Sequence, residues 1–316
     1  MSTNAAFHAG EQALQARVGV QAQMAQIGPR VMRDHMPDQH REFFGLLPFV
    51  VVGSVDGQGQ PWTSVLAGAP GFMQSPDPTH LHIRALALPH DPLQRTLREG
   101  AALGLLGMQP HTRRRNRMNG TAHVQDDGLL VEVGQSFGNC PKYIQAREPA
   151  WVPETPAGRV VHQGPGLTEA AAELIRSVDT FFIATAHPDA ARAYEPRHGV
   201  DVSHRGGAPG FVKVEGDRLT VPDFVGNQFF NTLGNIAVHP LAGLLFLDFE
   251  RDDRLYLAAR ASVVWDGAEL AGFAGAQRLL RLDVTHALHV QGGLPLHWGP
   301  AERSPHLAGT GYWPSR

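Results

Sequence analysis

The chain has 316 residues, of which 42% are hydrophobic and 18% are charged, a composition typical of a globular protein with a sizeable core. A formal net charge of −3 gives no indication of a nucleic-acid partner, and no run of about 18 apolar residues predicts a membrane span. The single cysteine, Cys140, excludes an intramolecular disulfide. With no basic and apolar leader, we expect a cytoplasmic protein.

Residues 1–45 are predicted to be a helical extension. Ala13, Val20, Met24 and Ile27 recur at helical spacing, which predicts an amphipathic helix over residues 10–27 that Pro29 would end. Such a helix must bury its apolar face, so we expect the chain to form a homodimer.

An internal repeat organises the rest of the chain. The pentapeptide GAPGF occurs at residues 68–72 and 207–211, an offset of 207 − 68 = 139. Ser64 and Ser203, and the GLL tripeptides that begin at Gly104 and Gly243, keep the same offset. Looser matches follow in the same order, including Thr96 with Thr232 at an offset of 136. Two unrelated β domains with similar turns are the alternative, but the shared order favours a repeat.

Each half is predicted to contain six antiparallel strands and one helix, arranged as a small closed barrel. The fold class is therefore mostly β with helices (α+β), in two tandem halves. The predicted segments are the extension (1–45), the first half (46–145), a linker with four prolines (146–166), the second half (167–300) and a tail (301–316). The helices are predicted at residues 92–99 and 228–236, and a shorter one, capped by Thr168, at 169–178.

The second half carries a recognisable series of motifs. Ser203, His204 and Arg205 precede a Gly-Pro turn, and Pro222-Asp223 ends a strand. The helix GNQFFNTLGNI and the strand HPLAGLLF follow. This series resembles the pyridoxamine 5′-phosphate oxidase-like flavoproteins, which are FMN-binding split barrels. His239 stands where the family motif has Asn. The resemblance covers about residues 40–300.

The resemblance implies a fold and a cofactor. Members of this family are usually dimers, with FMN lying between two barrels. A chain with two barrels is therefore expected to form an intrachain pseudo-dimer of split β-barrel halves that binds FMN.

A phosphate site is predicted in the second half. Helix N-termini favour anions, and Asn227, Gln228, Asn231 and Thr232 stand at the start of the predicted helix. The related oxidases carry basic ligands where this chain has Asn231 and Thr232, so oxidation of pyridoxamine phosphate itself is not expected. Arg205, beside Ser203 and His204, would supply the charge. The alternative is that the asparagines are caps and Arg205 is a surface residue. The first half has Leu66 opposite Arg205, which predicts one dominant FMN site.

The segment TRRRNRMNG adds further candidates. On a strand, Arg115 and Arg117 share one face and Asn116 points to the other. We expect at least one of these three to contact flavin or its phosphate. Solvated arginines at a hairpin tip are the alternative.

The segment QSFGNCPKYIQ ends the first half, where the related oxidases let a partner barrel reach the flavin. Ser136 and Tyr143 are predicted to contact the flavin ring, and Lys142 to lie near its N1–C2=O edge. Cys140 is a candidate redox thiol, and a small buried hydrophobe is its alternative. For Lys142 and Tyr143 the alternative is interface packing.

These features together predict an FMN-dependent oxidoreductase. It would pass a hydride from NAD(P)H or another two-electron donor to flavin, and then to oxygen or a small organic acceptor. A non-catalytic flavin- or haem-binding carrier or sensor is the alternative. Neither the pair His80 and His82 nor the pair His286 and His289 has an evident third ligand, so no metal site is expected. No nucleic acid or membrane is expected as a partner.

Overall fold

Two antiparallel sheets with the same strand order organise the chain. The computed structural model describes residues 6–192 and 195–313. The helices are α1 (Ala9–Arg17), α2 (Gln21–Val31), α3 (Asp38–Gly45), α4 (Leu93–Thr96), α5 (Glu169–Ser177), α6 (Asn231–Val238) and α7 (Ala268–Ala271). The strands of the first half are β1 (Phe49–Val55), β2 (Pro61–Ala67), β3 (Met73–Gln74), β4 (His80–Ile83), β5 (Ala102–Gln109), β6 (Arg114–Gln125) and β7 (Gly128–Gly138).

The segment between the halves holds two strands, β8 (Pro149–Trp151) and β9 (Arg159–Gly164). The remaining strands are β10 (Thr180–Ala186), β11 (Val200–Gly206), β12 (Lys213–Glu215), β13 (Arg218–Asp223), β14 (Leu241–Leu247), β15 (Arg254–Val264), β16 (Arg278–Gln291) and β17 (Leu296–Trp298).

The strand orders confirm two tandem halves of a mostly β fold. The first sheet runs β2-β1-β5-β6-β7-β4-β3 and the second runs β11-β10-β14-β15-β16-β13-β12, which is the same order strand for strand. The described pairings join each sheet as an open path rather than a ring, so the halves are split barrels and not the closed barrels that the strand count suggested. The predicted proline-rich linker contains strands that the sequence analysis did not identify, since β8 pairs with β17 and β9 extends the second sheet beside β16.

The GAPGF repeat forms the same turn in both halves. Phe72 N–H donates to the Ala69 carbonyl and Phe211 N–H to the Ala208 carbonyl, both at 2.9 Å. Pro lies at the second position of each turn. The following glycine, Gly71 or Gly210, has a φ of 94° or 84°, which is the backbone geometry that a type II turn requires.

Both faces of the central strands are buried, which explains their continuous apolar runs. In β1, Val50 and Val52 pack into the core of the first half, whereas Phe49 and Val51 join a separate core between the halves. Phe182 of β10 enters that shared core from the second half. The two halves therefore pack as a pseudo-dimer within one chain.

The interface between the halves contains two equivalent contacts that are related by the sequence repeat. A Cβ on Gly104 would lie 2.4 Å from the Val200 carbonyl oxygen, and a Cβ on Gly243 would lie 2.3 Å from the Pro61 carbonyl oxygen. The glycines differ by 243 − 104 = 139 residues, and so do their partners, since 200 − 61 = 139. Each half thus presents the same backbone contact to the other, as in an isologous dimer interface.

The N-terminal extension differs from the expected single helix. Gly19, with a φ of 76°, separates α1 from α2, and α2 continues through Pro29 to Val31. Helix α1 packs on α6 within the chain, since a Cβ on Gly10 would lie 2.3 Å from the Gly234 carbonyl oxygen. The helix that motivated a homodimer is therefore buried internally, and homodimerisation stays a prediction without that support. Among the described residues, no helix is both long and apolar enough to cross a membrane.

We predict that Gly104→Ala lowers the free energy of unfolding by about 2–3 kcal/mol, because the new methyl group would push the two halves apart. Urea unfolding of the full chain measures this change. Gly57→Ala is the matched control, since nothing lies within 4 Å of its Cβ position. Equal stability of the two variants would show that the halves do not approach each other at Gly104.

Candidate functional site

A cavity of about 150 Å³ lies where the two halves meet, and both contribute to its wall. The first half supplies Arg115 and Arg117 of β6 and most of the segment 139–143. The second half supplies residues 203–206 of β11, the end of β13 and the start of α6. Twelve of the fourteen sequence-predicted site residues line it, namely Arg115, Arg117, Cys140, Lys142, Tyr143, Ser203, His204, Arg205, Asn227, Gln228, Asn231 and Thr232.

Arg117 crosses from the first half into the second. Its Nη2 donates to Ser203 Oγ at 2.5 Å, and its Nη1 donates to Asp201 Oδ1 at 3.1 Å and to Asn231 Oδ1 at 3.0 Å. The side chain is only 4% exposed. Burial lowers the pKa of Arg117, and the neighbouring Asp201 opposes that shift. Its Nε has no hydrogen-bond partner among the described residues.

Arg205 and Arg278 share the carboxylate of Asp223. Arg205 Nη1 donates to Asp223 Oδ1, and Arg278 Nε lies 3.2 Å from Asp223 Oδ2. Arg205 Nε and Arg278 Nη1 are buried without a partner in the described part of the chain. One carboxylate thus faces two guanidinium groups.

Arg115 adds a further, half-buried positive charge. Its Nε donates to the Cys140 carbonyl at 2.7 Å, and its Nη1 donates to His204 Nδ1 at 3.2 Å. Burial and the nearby Arg117 lower the pKa of Arg115 to about 10. The wall contains four arginines and Lys142 but one carboxylate, Asp223, and Asp201 pairs with Arg117 behind the wall, so positive charge is in excess around the cavity.

His204 is neutral. Its Nδ1 accepts a hydrogen bond from a guanidinium, which only an unprotonated nitrogen does. Burial, followed by the charges of Arg115 and Arg205, lowers the pKa of His204 well below its ordinary value.

The start of α6 differs from the prediction. The helix begins at Asn231, not at Gln228, because Gln228 and Phe230 take left-handed φ values of 62° and 64°. The first-turn N–H groups have no partner within the helix. Thr232 Oγ1 lies 2.9 Å from Ser203 Oγ, and the Asn227 side chain accepts from Phe229 N–H at 3.2 Å. Asn227 therefore does form the cap-like turn that the alternative interpretation allowed.

Sequence reasoning missed a carboxyl group from the N-terminal extension. Glu11 of α1 accepts from Asn231 Nδ2 at 2.5 Å and from His8 N–H at 2.8 Å. Burial raises the pKa of Glu11 well above its ordinary value. Asp201 and Arg278 were also missed, and no local sequence pattern marks any of the three.

Aromatic rings lie at one end of the cavity. Tyr143, whose φ is 65°, packs on Phe224 with ring centroids 4.9 Å apart. Burial raises the pKa of Tyr143. Lys142 has no hydrogen bond or ion pair with any described residue. Cys140 is a free, half-buried thiol on the same wall.

Two predicted site residues, Asn116 and Ser136, do not line the cavity. Asn116 lies between Arg115 and Arg117 on β6 and so faces the opposite side of the strand, as the alternation predicted. Ser136 Oγ lies 2.9 Å from His40 Nδ1, on the side of the first half that α3 covers.

In the first histidine pair singled out in the sequence, His80 pairs with Asp77 and His82 with Asp127. In the second pair, His289 Nε2 lies 3.5 Å from Asp253 Oδ2, and His286 packs against Trp62. A different group lies beside β10 and β11, where ligand atoms of His187, Asp189 and His198 lie within 4.8 Å of one another. The two imidazole rings stack 3.8 Å apart and almost parallel, at 11°. A metal ion cannot lie in both ring planes of such a stack, so this group forms no preorganised metal site.

Comparison with known proteins places the second half in a family. Residues 167–290 match the family model described as pyridoxamine 5′-phosphate oxidase. The second half of the chain belongs to this family. The oxidase-like half contains α5, α6 and all the strands from β10 to β15. No curated protein matches the sequence significantly.

Three solved structures are similar to part of the chain. HupZ of Group A Streptococcus is 14% identical, with a TM-score of 0.31, over 40% of this chain and 96% of that one. Its H111A variant is 12% identical, with a TM-score of 0.30, over 39% and 98%. A candidate pyridoxamine 5′-phosphate oxidase from Lactobacillus delbrueckii is 17% identical, with a TM-score of 0.30, over 39% and 93%.

We predict that the neutral His204 of the oxidase-like half makes the protein less stable in acid. The unfolded chain binds a proton at this residue below about pH 6.5, whereas the folded chain does not, so stability falls as the pH decreases. In His204→Gln, the loss of unfolding free energy between about pH 7.5 and about pH 5 should shrink by about 1–2 kcal/mol.

Urea unfolding at the two pH values measures this loss. The exposed His297, changed to Gln, is the control and should leave it unchanged. An identical loss in the native and His204→Gln proteins would mean that the folded state protonates His204 normally.

Proposed function

We propose that the chain is an FMN-dependent oxidoreductase whose flavin binds in the cavity between the halves. The observation that carries this proposal is the set of buried and half-buried arginines around that cavity. Arg115, Arg117, Arg205 and Arg278 come from three strands, and buried N–H groups on three of these arginines lack partners in the described chain. Burying that much positive charge is costly unless an anion compensates it.

The unpartnered atoms fit a phosphate. Arg117 Nε, Arg205 Nε and Arg278 Nη1 are all donors, as is the Asn139 Nδ2 amide on the same wall. A phosphate monoester carries close to two negative charges and accepts several charge-assisted hydrogen bonds. The first turn of α6 adds free N–H groups and the positive end of its dipole. Neither Asn231 nor Thr232 is basic, so the arginines would supply the charge.

Other groups on the wall also have proposed roles. Tyr143 and Phe224 offer apolar ring surface for a flat ligand. The ammonium of Lys142, unpaired among the described residues, would stabilise negative charge on a ring edge. FMN, when bound, supplies two-electron chemistry between a donor such as NAD(P)H and oxygen or a small organic acceptor. Cys140 stays a candidate redox thiol, and its carbonyl oxygen orients Arg115.

We predict that Arg205→Gln weakens FMN binding by about 10- to 100-fold, because it removes a charge-assisted contact to the phosphate. Titration of flavin fluorescence with the full chain measures the affinity. Arg218→Gln is the matched control, since Arg218 also pairs with a strand carboxylate, Asp283, but is exposed. Equal affinities for native protein and Arg205→Gln would exclude Arg205 from the phosphate site.

Anaerobic reduction tests the activity. The FMN-loaded chain should lose its yellow absorption when NADPH is added and recover it when oxygen is admitted. A chain that binds FMN but is reduced by no two-electron donor would be a flavin carrier or sensor. A chain that binds no FMN would contradict the proposal altogether.

A further inference from the structure

The repeat relates the proposed FMN cavity to a second location in the chain. At an offset of 139, Arg115 corresponds to Arg254 and Arg117 to Tyr256 (254 − 115 = 256 − 117 = 139). The sheet register agrees, because Leu106 pairs with Arg117 on β6 as Leu245 pairs with Tyr256 on β15. Arg254 and Tyr256 therefore occupy the strand positions that carry two of the arginines in the proposed FMN site.

The surrounding backbone is also repeated. Arg115 Nε donates to the carbonyl of Cys140, just after β7, and Arg254 Nη2 faces the carbonyl of Gly292, just after β16, at 3.5 Å. A second repeated feature is the turn before the helix. Asp91 Oδ1 accepts from Leu93 N–H at 2.8 Å before α4, as Asn227 Oδ1 accepts from Phe229 N–H before α6. Asp91 and Asn227 are separated by the same number of residues as Thr96 and Thr232, since 227 − 91 = 232 − 96 = 136.

Several side chains distinguish the second location from the cavity. Leu66 stands in place of Arg205, Tyr256 in place of Arg117, and Asp91 in place of Asn227. Two of the cavity arginines thus have uncharged counterparts and Asn227 has an acidic one, while the exposed Arg95 stands in place of Asn231 and packs on Trp62.

The remaining polar groups at the second location form hydrogen bonds with one another. Tyr256 O–H donates to Asp91 Oδ2 at 2.9 Å, and Arg254 Nη1 donates to the Tyr256 oxygen at 3.2 Å. Arg254 and Tyr256 are fully buried and Asp91 is 2% exposed. Burial raises the pKa of the Asp91 carboxyl, while the donors around it favour its ionised form. The carboxylate thus accepts hydrogen bonds at both oxygens.

We propose that Asp91, Tyr256 and Arg254 form a second anion site whose anion is the chain's own carboxylate. The binding of one phosphate-bearing ligand per chain rests on the proposed function, whereas the internal site rests only on the contacts of Asp91, Tyr256 and Arg254. A buried guanidinium needs a compensating charge. In the cavity Asp201 and Asp223 compensate only part of the charge of the four arginines, and a ligand would supply the rest, whereas at Arg254 the Asp91 side chain provides the compensating charge. The ligand class that the site would take is a small carboxylate or another oxyanion.

Substitution of Asp91 followed by return of the anion tests the proposal. Asp91→Ala should lower the melting temperature by about 5 °C, because it leaves Arg254 uncompensated. Sodium formate, which replaces the missing carboxylate, should restore at least about half of that loss, and sodium chloride at the same ionic strength should not. Asp91→Ser keeps a turn acceptor for Leu93 N–H and is the second variant if Asp91→Ala does not fold.

Asn227→Ala is the matched control, because it removes the same turn contact without removing a charge. Its melting temperature should respond to formate as the native protein does. Formate-specific recovery in an Asp91 variant but not in the control supports the internal site. Equal responses to formate and chloride in a folded Asp91 variant would overturn it.

Counting bound inorganic phosphate separates this proposal from the proposed function. Equilibrium dialysis of the native chain should give one equivalent, and two equivalents would overturn the claim that the second site is closed. A native chain that binds no phosphate would contradict the phosphate site in the cavity. The formate response of the Asp91 variants would still decide whether Asp91 is an internal anion.

Discussion

Arg117 makes the contact on which the candidate site depends. A guanidinium that is 4% exposed must find hydrogen-bond acceptors, and those of Arg117 lie in the other half of the chain, on Asp201, Ser203 and Asn231. Asp201 also accepts from Asn119 of the first half at 2.9 Å and from Asn235 of α6 at 3.2 Å. The proximity of the halves is therefore fixed electrostatically as well as by packing.

The close packing of the two halves also requires glycines where their strands meet. Gly104 and Gly243 let the backbones touch at two places related by the repeat, so the two halves pack with an approximate two-fold relation. Two-fold packing creates two equivalent locations at the interface. The side chains at these locations have diverged, so that one is a cationic cavity and the other is filled by Asp91 and Tyr256. Symmetry of the backbone combined with asymmetry of charge explains why a chain with two repeated halves has a cationic cavity at only one of these two locations.

Much of the fold could be predicted from the sequence, because a pattern found in one half could be checked against the corresponding residues of the other half. GAPGF and GLL mark backbone constraints, a type II turn and a close approach, that only glycine and proline satisfy readily. Shorter features were missed. The two-residue strand β3 has too few positions for alternation to show, and the proline-rich segment still formed β8 and β9 because neighbouring strands had free edges.

The candidate site was predictable where its residues lie on repeated or alternating strands, as Arg115, Arg117 and Arg205 do. Glu11 was not, because its role depends on where α1 docks, and that is set by the contact of Gly10 with Gly234 more than two hundred residues away. Arg278 was missed for a similar reason, since only the pairing of β16 with β13 brings it to Asp223. Tertiary contacts of this kind leave no local pattern in a single sequence.

A crystal structure of the full chain grown with FMN would test the central claim most directly. We expect one flavin per chain, with its phosphate between Arg205, Arg117 and the first turn of α6. A phosphate bound beside Arg254 and Tyr256, or a flavin at both locations, would contradict it.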